Sequence, residues 1–207
     1  MSAERPTNLS ADEAKKRLNA GNARYIDGAM ERPRCTPERR SSLASGQAPF
    51  ATVLTCADSR VSPELIFDEG LGDLFVIRVA GNIADAAVLG SIEYASLHLG
   101  VNLVVVMGHQ SCGAVGAAVD NKDLDGPATH SNIDALIDAI KPAVQSAIAA
   151  DAGLDGDALL ESSVRENAKR VSTGIRGSEA VMAKLADTGV KISPAYYSLS
   201  SGEVSWL

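Results

Sequence analysis

Leu103-Val104-Val105-Val106-Met107-Gly108-His109 is the stretch on which the fold turns. Its first five side chains are all large and apolar, with no polar residue at alternate positions. A strand with one wet face alternates, so this one must be covered on both faces, as strands of parallel sheets are. Two further runs, 50–57 and 74–80, read as buried parallel strands in the same way. Residues 87–99, between the second and third runs, are helical in composition. Strands alternating with helices predict an α/β fold with a mainly parallel central sheet flanked by helices.

Outward from that core, Ser10-Ala11-Asp12-Glu13 matches a capping box and predicts an N-terminal amphipathic helix carrying Ala14 and Leu18. Pro33 and Pro37 break the chain before a short helix near 38–45. Residues 120–132 read as a polar loop. The helix after it carries Ile133, Leu136, Ile137, Ile140, Val144 and Ile148 on one face and is expected to kink at Pro142. A second loop spans 151–157. Helices are predicted over 159–175 and 178–185, interrupted by Gly174 and Gly177. Residues 191–199 and 204–207 form a closing hairpin through Ser201-Gly202, which adds an antiparallel edge strand. The expected division is one domain, 1–207, with a helical arm over 1–46 and an α/β core over 47–207.

The chain has 207 residues, 45% hydrophobic and 22% charged, with a formal charge of −7 and a sequence pI of about 5.0. That acidity argues against nucleic acid or an anionic membrane as the main partner. The one basic patch, Arg32, Arg34, Arg39 and Arg40, is interleaved with Glu31 and Glu38 and reads as a solvated or subunit-contacting segment. The first seven residues lack the apolar core of a secretory signal. The run 103–107 is too short to span a bilayer. A cytoplasmic location is expected. Three cysteines are too few for a disulfide scaffold, and Cys35, in an Arg/Pro-rich stretch, reads as incidental.

Two clusters carry the chemistry: Cys56-Ala57-Asp58-Ser59-Arg60 and His109-Gln110-Ser111-Cys112. Each stands where a buried strand ends. In doubly wound sheets ligands sit beyond the carboxyl ends of strands where the strand order reverses. An order of 2-1-3-4 puts both clusters in one crevice. Two thiolates and an imidazole suit Zn²⁺, and three such ligands leave a fourth corner for water, as catalytic rather than structural zinc sites do. Cys112, at the start of a helix, is placed where amide dipoles favour a thiolate. A single Cys or His at a strand end is more often packing than ligand; the pairing of the clusters is what favours metal. Asp58 and Arg60 read as a structural ion pair or as a working one. His98 is expected on a helix surface, and His130 has no assigned role. A covalent cysteine nucleophile with His109 as base is a further option. No Gly-rich phosphate loop follows the first strand.

These residues resemble the β-class carbonic anhydrases over most of the chain. The resemblance rests on Gly21-Asn22-Ala23-Arg24-Tyr25, Gly46-Gln47-Ala48-Pro49, Cys56-Ala57-Asp58-Ser59-Arg60-Val61, residues 75–82, Ser91-Ile92-Glu93-Tyr94-Ala95, residues 108–115 and the closing strands to Trp206-Leu207. It is weakest over 120–157. It implies one Zn²⁺ per subunit held by Cys56, His109 and Cys112, and reversible hydration of CO2 to bicarbonate and a proton. By the same resemblance Asp58 orients the zinc-bound hydroxide and Arg60 holds Asp58 off the metal. Gln47, Phe75 and Tyr94 line the CO2 site, with the N–H of Gly113 beside it. The chain assembles as a homodimer or a dimer of dimers, with N-terminal helices packing on the partner. Val53 stands where members with a bicarbonate regulatory site carry Trp, and Thr55 where they carry Gly, which implies an open-site, non-allosteric member. No shuttle histidine is assignable. Carbonyl sulfide and carbon disulfide hydrolases share the scaffold, but their second block reads Gly-Cys-Gly-Met against Ser111-Cys112-Gly113-Ala114 here. A non-catalytic zinc-binding α/β module is the remaining alternative.

Overall fold

All seven residues of Leu103–His109 are buried in a strand, β3, at the middle of a five-stranded sheet. The structure, a computed structural model, describes residues 8–178, 184–185 and 189–207. The other strands are β1 (Ala51–Thr55), β2 (Leu74–Arg78), β4 (Lys191–Tyr197) and β5 (Val204–Trp206), in the order β2-β1-β3-β4-β5. The first four run parallel, and β5 pairs antiparallel with β4. The expected order and its antiparallel edge are both present.

Side chains alternate between two apolar layers, as a strand's two-residue period requires. Val53, Val105 and Met107 pack with Ala11, Ala14 and Leu18 of α1 (Ala11–Ile26). Leu54, Val104 and Val106 face the other way, onto Val88 and Ile92 of α4 (Ala86–His98) and Ile175 of α7 (Gly156–Gly177). The remaining helices are α2 (Pro37–Ser42), α3 (Pro63–Ile66), α5 (Gly113–Asp120) and α6 (Ile133–Ala150). Gly108 lets α7 lie close on β3, since a Cβ there would stand 2.9 Å from Val164 Cγ1. The Ser10 capping box is formed in full: Ser10 Oγ accepts from the Glu13 N–H, and Glu13 accepts from the Ser10 N–H.

Several expectations need correction. β2 is half-buried, not fully covered, because it is the outer strand of the sheet. α7 runs unbroken past Gly174 to Gly177, while Pro142 lies inside α6, as expected of the helix over that stretch. In both helices a buried apolar face outweighs the local cost, about 1 kcal/mol for a glycine. The helix expected over 178–185 falls mostly outside the described residues, as does the start of the chain.

The basic patch is not simply solvated. Arg34 bridges Glu69 and Asp73, at 2.6 Å to each. Arg17 binds Glu69 through Nε at 2.8 Å and Nη2 at 2.5 Å. Asp68, 1% exposed, accepts from Arg24 Nε and from the N–H groups of Glu31 and Arg32. The arm is fastened to buried carboxylates of its own chain. Charge spacing within the patch could not reveal this, since those partners lie 35 to 52 residues away. Among the described residues, no helix is long and apolar enough to cross a membrane.

Candidate metal centre

β1 and β3 are hydrogen-bonded neighbours, with Thr55 opposite Met107. Their carboxyl ends therefore deliver Cys56 and His109 to the same place. Past His109 the chain turns through Ser111, whose φ of 53° is left-handed, and Cys112 becomes the N-cap of α5. Cys56, His109 and Cys112 are 4%, 0% and 1% exposed. Their ligand atoms all lie within 4.8 Å of one another, a cluster able to hold a metal ion.

Two details test the fit to zinc. The Cys56 and Cys112 sulfurs are 3.9 Å apart; tetrahedral Zn–S bonds of about 2.3 Å put two sulfurs about 3.8 Å apart. The His109 Nδ1 lies 2.9 Å from the Gln110 carbonyl oxygen, a contact that makes Nδ1 the protonated nitrogen. Its Nε2 is buried with no hydrogen-bond partner among the described residues, a costly arrangement unless that lone pair ligates something. The donor set and its spacing fit.

The two sulfurs lie within hydrogen-bonding distance of each other, and each shifts the other's titration. The Cys56 thiol is pushed down to about 4, chiefly by the hydrogen bond from Cys112 and against its burial, with His109 and the N–H of Gly81 adding to the effect. Cys112 is pushed up by acting as that donor, by burial and by the Cys56 charge, although the N–H groups of Val115 and Ala114 at the start of α5 pull the other way. The helix N-terminus therefore favours the Cys112 thiolate as the sequence predicts, but a second thiolate so close overrides it in the metal-free chain.

Asp58 stands at the rim. Its Oδ1 accepts from the N–H and Nε of Arg60, both at 2.9 Å, and its Oδ2 from Nη2 at 2.8 Å. That bidentate pair holds the Asp58 carboxyl far below the usual carboxylate range. Oδ2 is also 4.0 Å from His109 Nε2, so the carboxylate edges the metal cluster. Arg60 Nη2 reaches the Ser111 carbonyl at 3.2 Å and ties the two clusters together.

Not every expected residue joins them in one chain. Gly113 does, as the first residue of α5 beside Cys112. Phe75 and Tyr94 approach each other, ring centroids 6.2 Å apart, yet Tyr94 is 47% exposed. Gln47 is exposed on the segment leading into β1. His98 is exposed on α4, its ring 5.3 Å from that of Tyr94. Cys35 is exposed, with its thiol on the Pro33 carbonyl.

Sequence reasoning missed Arg78 as a working residue. Arg78 donates to the Cys56 carbonyl at 3.1 Å and the Asp58 carbonyl at 2.6 Å, fixing the loop that carries both side chains. The signal was the register that sets Arg78 beside Thr55, and a linear pattern does not contain register.

The Carbonic anhydrase family profile matches residues 51–204, a span that holds the whole cluster. The chain belongs to the β-carbonic anhydrase family. Carbonic anhydrase 2 of Mycobacterium tuberculosis is 46% identical over 137 residues, 66% of this chain and 66% of its own length, so the match spans about two thirds of that relative. Among solved structures, the β-carbonic anhydrase CcaA is 28% identical, with a TM-score of 0.72 over 93% of this chain and 94% of its own. A tetrameric β-carbonic anhydrase of the ascomycete Sordaria macrospora is 25% identical, with a TM-score of 0.72 over 95% of this chain and 97% of its own. Hydration of CO2 is the general reaction of this family.

Proposed function

We propose that this carbonic anhydrase family member is a zinc-dependent hydro-lyase that interconverts CO2 and bicarbonate. One observation carries the reading: three buried soft and borderline ligands converge with no fourth His, Cys, Asp or Glu ligand beside them among the described residues, and an Arg-clamped carboxylate stands at the remaining side. Zinc held by Cys56, His109 and Cys112 would supply a hydroxide nucleophile near neutral pH. Asp58 accepts a hydrogen bond from the attacking water and orients its lone pair. Arg60 occupies both Asp58 oxygens, which keeps the carboxylate ionised and away from the ligand position. Val53 and Thr55, at the positions where regulated members differ, favour an open-site, non-allosteric member. The N–H of Gly113, at the amino end of α5, faces developing negative charge.

Gln47, Phe75 and Tyr94 complete an apolar CO2 pocket in a homodimer or dimer of dimers. The exposure of Gln47 and Tyr94 on the single chain, the half-buried Phe75 between strand and solvent, and the tetrameric relatives support this. Since α1 covers its own core with Ala14 and Leu18, its other faces would meet the partner. A cytosolic location suits thiols that must stay reduced to bind metal.

Stopped-flow CO2 hydration by purified protein, before and after removal of metal by a chelator and after zinc is restored, tests the proposal. The expected result is activity lost with the metal and regained with zinc. Carbonyl sulfide assayed alongside decides the rival substrate, and turnover of neither would leave a non-catalytic metal module.

A further inference from the structure

The sulfur of Cys56 has a neighbour outside both clusters. The N–H of Gly81 donates to Cys56 Sγ at 3.3 Å. Gly81 lies in the 3₁₀ turn Ala80–Asn82 after β2, and it and Asn82 both have left-handed φ values, 70° and 43°. Only glycine fits at 81: a Cβ there would lie 2.5 Å from Ile140 Cδ1 and 3.2 Å from Ala114 Cβ. A glycine that opens a pair of left-handed residues has wide conformational freedom, and a sulfur acceptor is too weak to pin it alone.

The pin comes from α7. Asn167, 1% exposed, donates its Nδ2 to the Gly81 carbonyl oxygen at 2.8 Å, across 86 residues of sequence. Its neighbours on the helix, Ser163, Val164 and Ala168, are also buried. A primary amide is expensive in such surroundings unless bonded, so the contact holds Asn167 as well as the turn. Gly81 is then gripped on both sides of its Cα, by the sulfur at its N–H and by Asn167 at its carbonyl.

We propose that Asn167 is a positioning residue for the metal centre, acting through Gly81 to hold one N–H on the Cys56 sulfur. An N–H directed at a ligating thiolate withdraws charge from it and fixes its direction, so the donor strength of Cys56 depends on a helix side chain that never touches the metal. The inference rests on the zinc reading above.

The test compares the parent protein with Asn167→Leu, which keeps the side-chain bulk and deletes the donor. Zinc affinity is measured by competition with a chromophoric chelator. Cobalt-loaded samples report the sulfur-to-metal charge-transfer band. Asn167→Leu should bind zinc about 10- to 100-fold more weakly, and its band should move to longer wavelength as the sulfur becomes more electron-rich. Ser172→Ala, on the same helix at a buried hydroxyl with no hydrogen-bond partner among the described residues, should leave both unchanged. Parental affinity and band in Asn167→Leu, whatever its melting temperature, overturn the proposal. Should the leucine variant not fold, the parent loaded with cadmium-113 decides: scalar coupling from the metal to the Gly81 amide proton supports the clamp, and its absence overturns it. A parent that takes up no metal refutes the metal reading itself; a parent that binds metal with a variant indistinguishable from it refutes the clamp alone.

Discussion

Replacing Asp58 with Asn changes one atom and, by the geometry, most of what the residue does. Oδ1 accepts two bonds from Arg60, from its N–H and its Nε. The amide oxygen of an asparagine takes that place, because it alone can accept them. The NH2 group then falls where Oδ2 now lies, facing Arg60 Nη2 at 2.8 Å and His109 Nε2 at 4.0 Å. Two donors confront each other, and the side facing the metal cluster loses its acceptor. Water oriented by Asp58 would lose its hydrogen-bond acceptor, a contribution of general acid–base type worth about 10²–10⁴ in rate, or about 3–5 kcal/mol of transition-state stabilisation. Metal content should be unchanged, since the three ligands are untouched. Stopped-flow CO2 hydration normalised to zinc content reads the effect. An Asp58→Asn protein with full zinc and turnover within about threefold of the parent, well short of the acid–base range, would refute the role assigned to Asp58.

Other outcomes follow from neighbouring geometry. Arg60→Ala frees both Asp58 oxygens, and X-ray absorption of the zinc-loaded variant at neutral pH should show a carboxylate oxygen in place of water; a retained water counts against the clamp. Cys112→Ser removes a ligand outright and should weaken zinc retention by more than about 100-fold, beyond the range for residues that only support a ligand; a full zinc complement after dialysis against chelator would remove Cys112 from the ligand set. Asp68 sets an acid limit on the arm. Burial opposes its ionisation, but Arg24 and the N–H groups of Glu31 and Arg32 outweigh this and hold its carboxyl below the usual value. A depressed folded value means stability that is present above about pH 3.9 and lost as pH falls through the folded value. Asp68→Asn should cost about 2 kcal/mol at pH 7 and flatten the dependence below pH 4, read from urea midpoints; equal slopes for both proteins would dissociate Asp68 from the acid transition.

The amino-acid sequence by itself determined what depends on near neighbours. The apolar run of β3 required a strand covered on both faces, and the bounds came out as read. The Ser10–Glu13 cap was legible because its bonds span three residues. His109 and Cys112 were legible as partners for the same reason, and Cys56 joined them because both clusters end apolar strands. Only the tertiary structure decided what depends on register and on distant packing. It made β2 a half-buried outer strand, brought Arg78 to the Cys56–Asp58 loop and set Arg34 on Glu69 and Asp73. It also placed Asn167 on Gly81, a pair separated by 86 residues. Periodicity records which face of an element is apolar, but not which distant side chain will meet it; that is fixed when strands select neighbours and helices settle on the sheet.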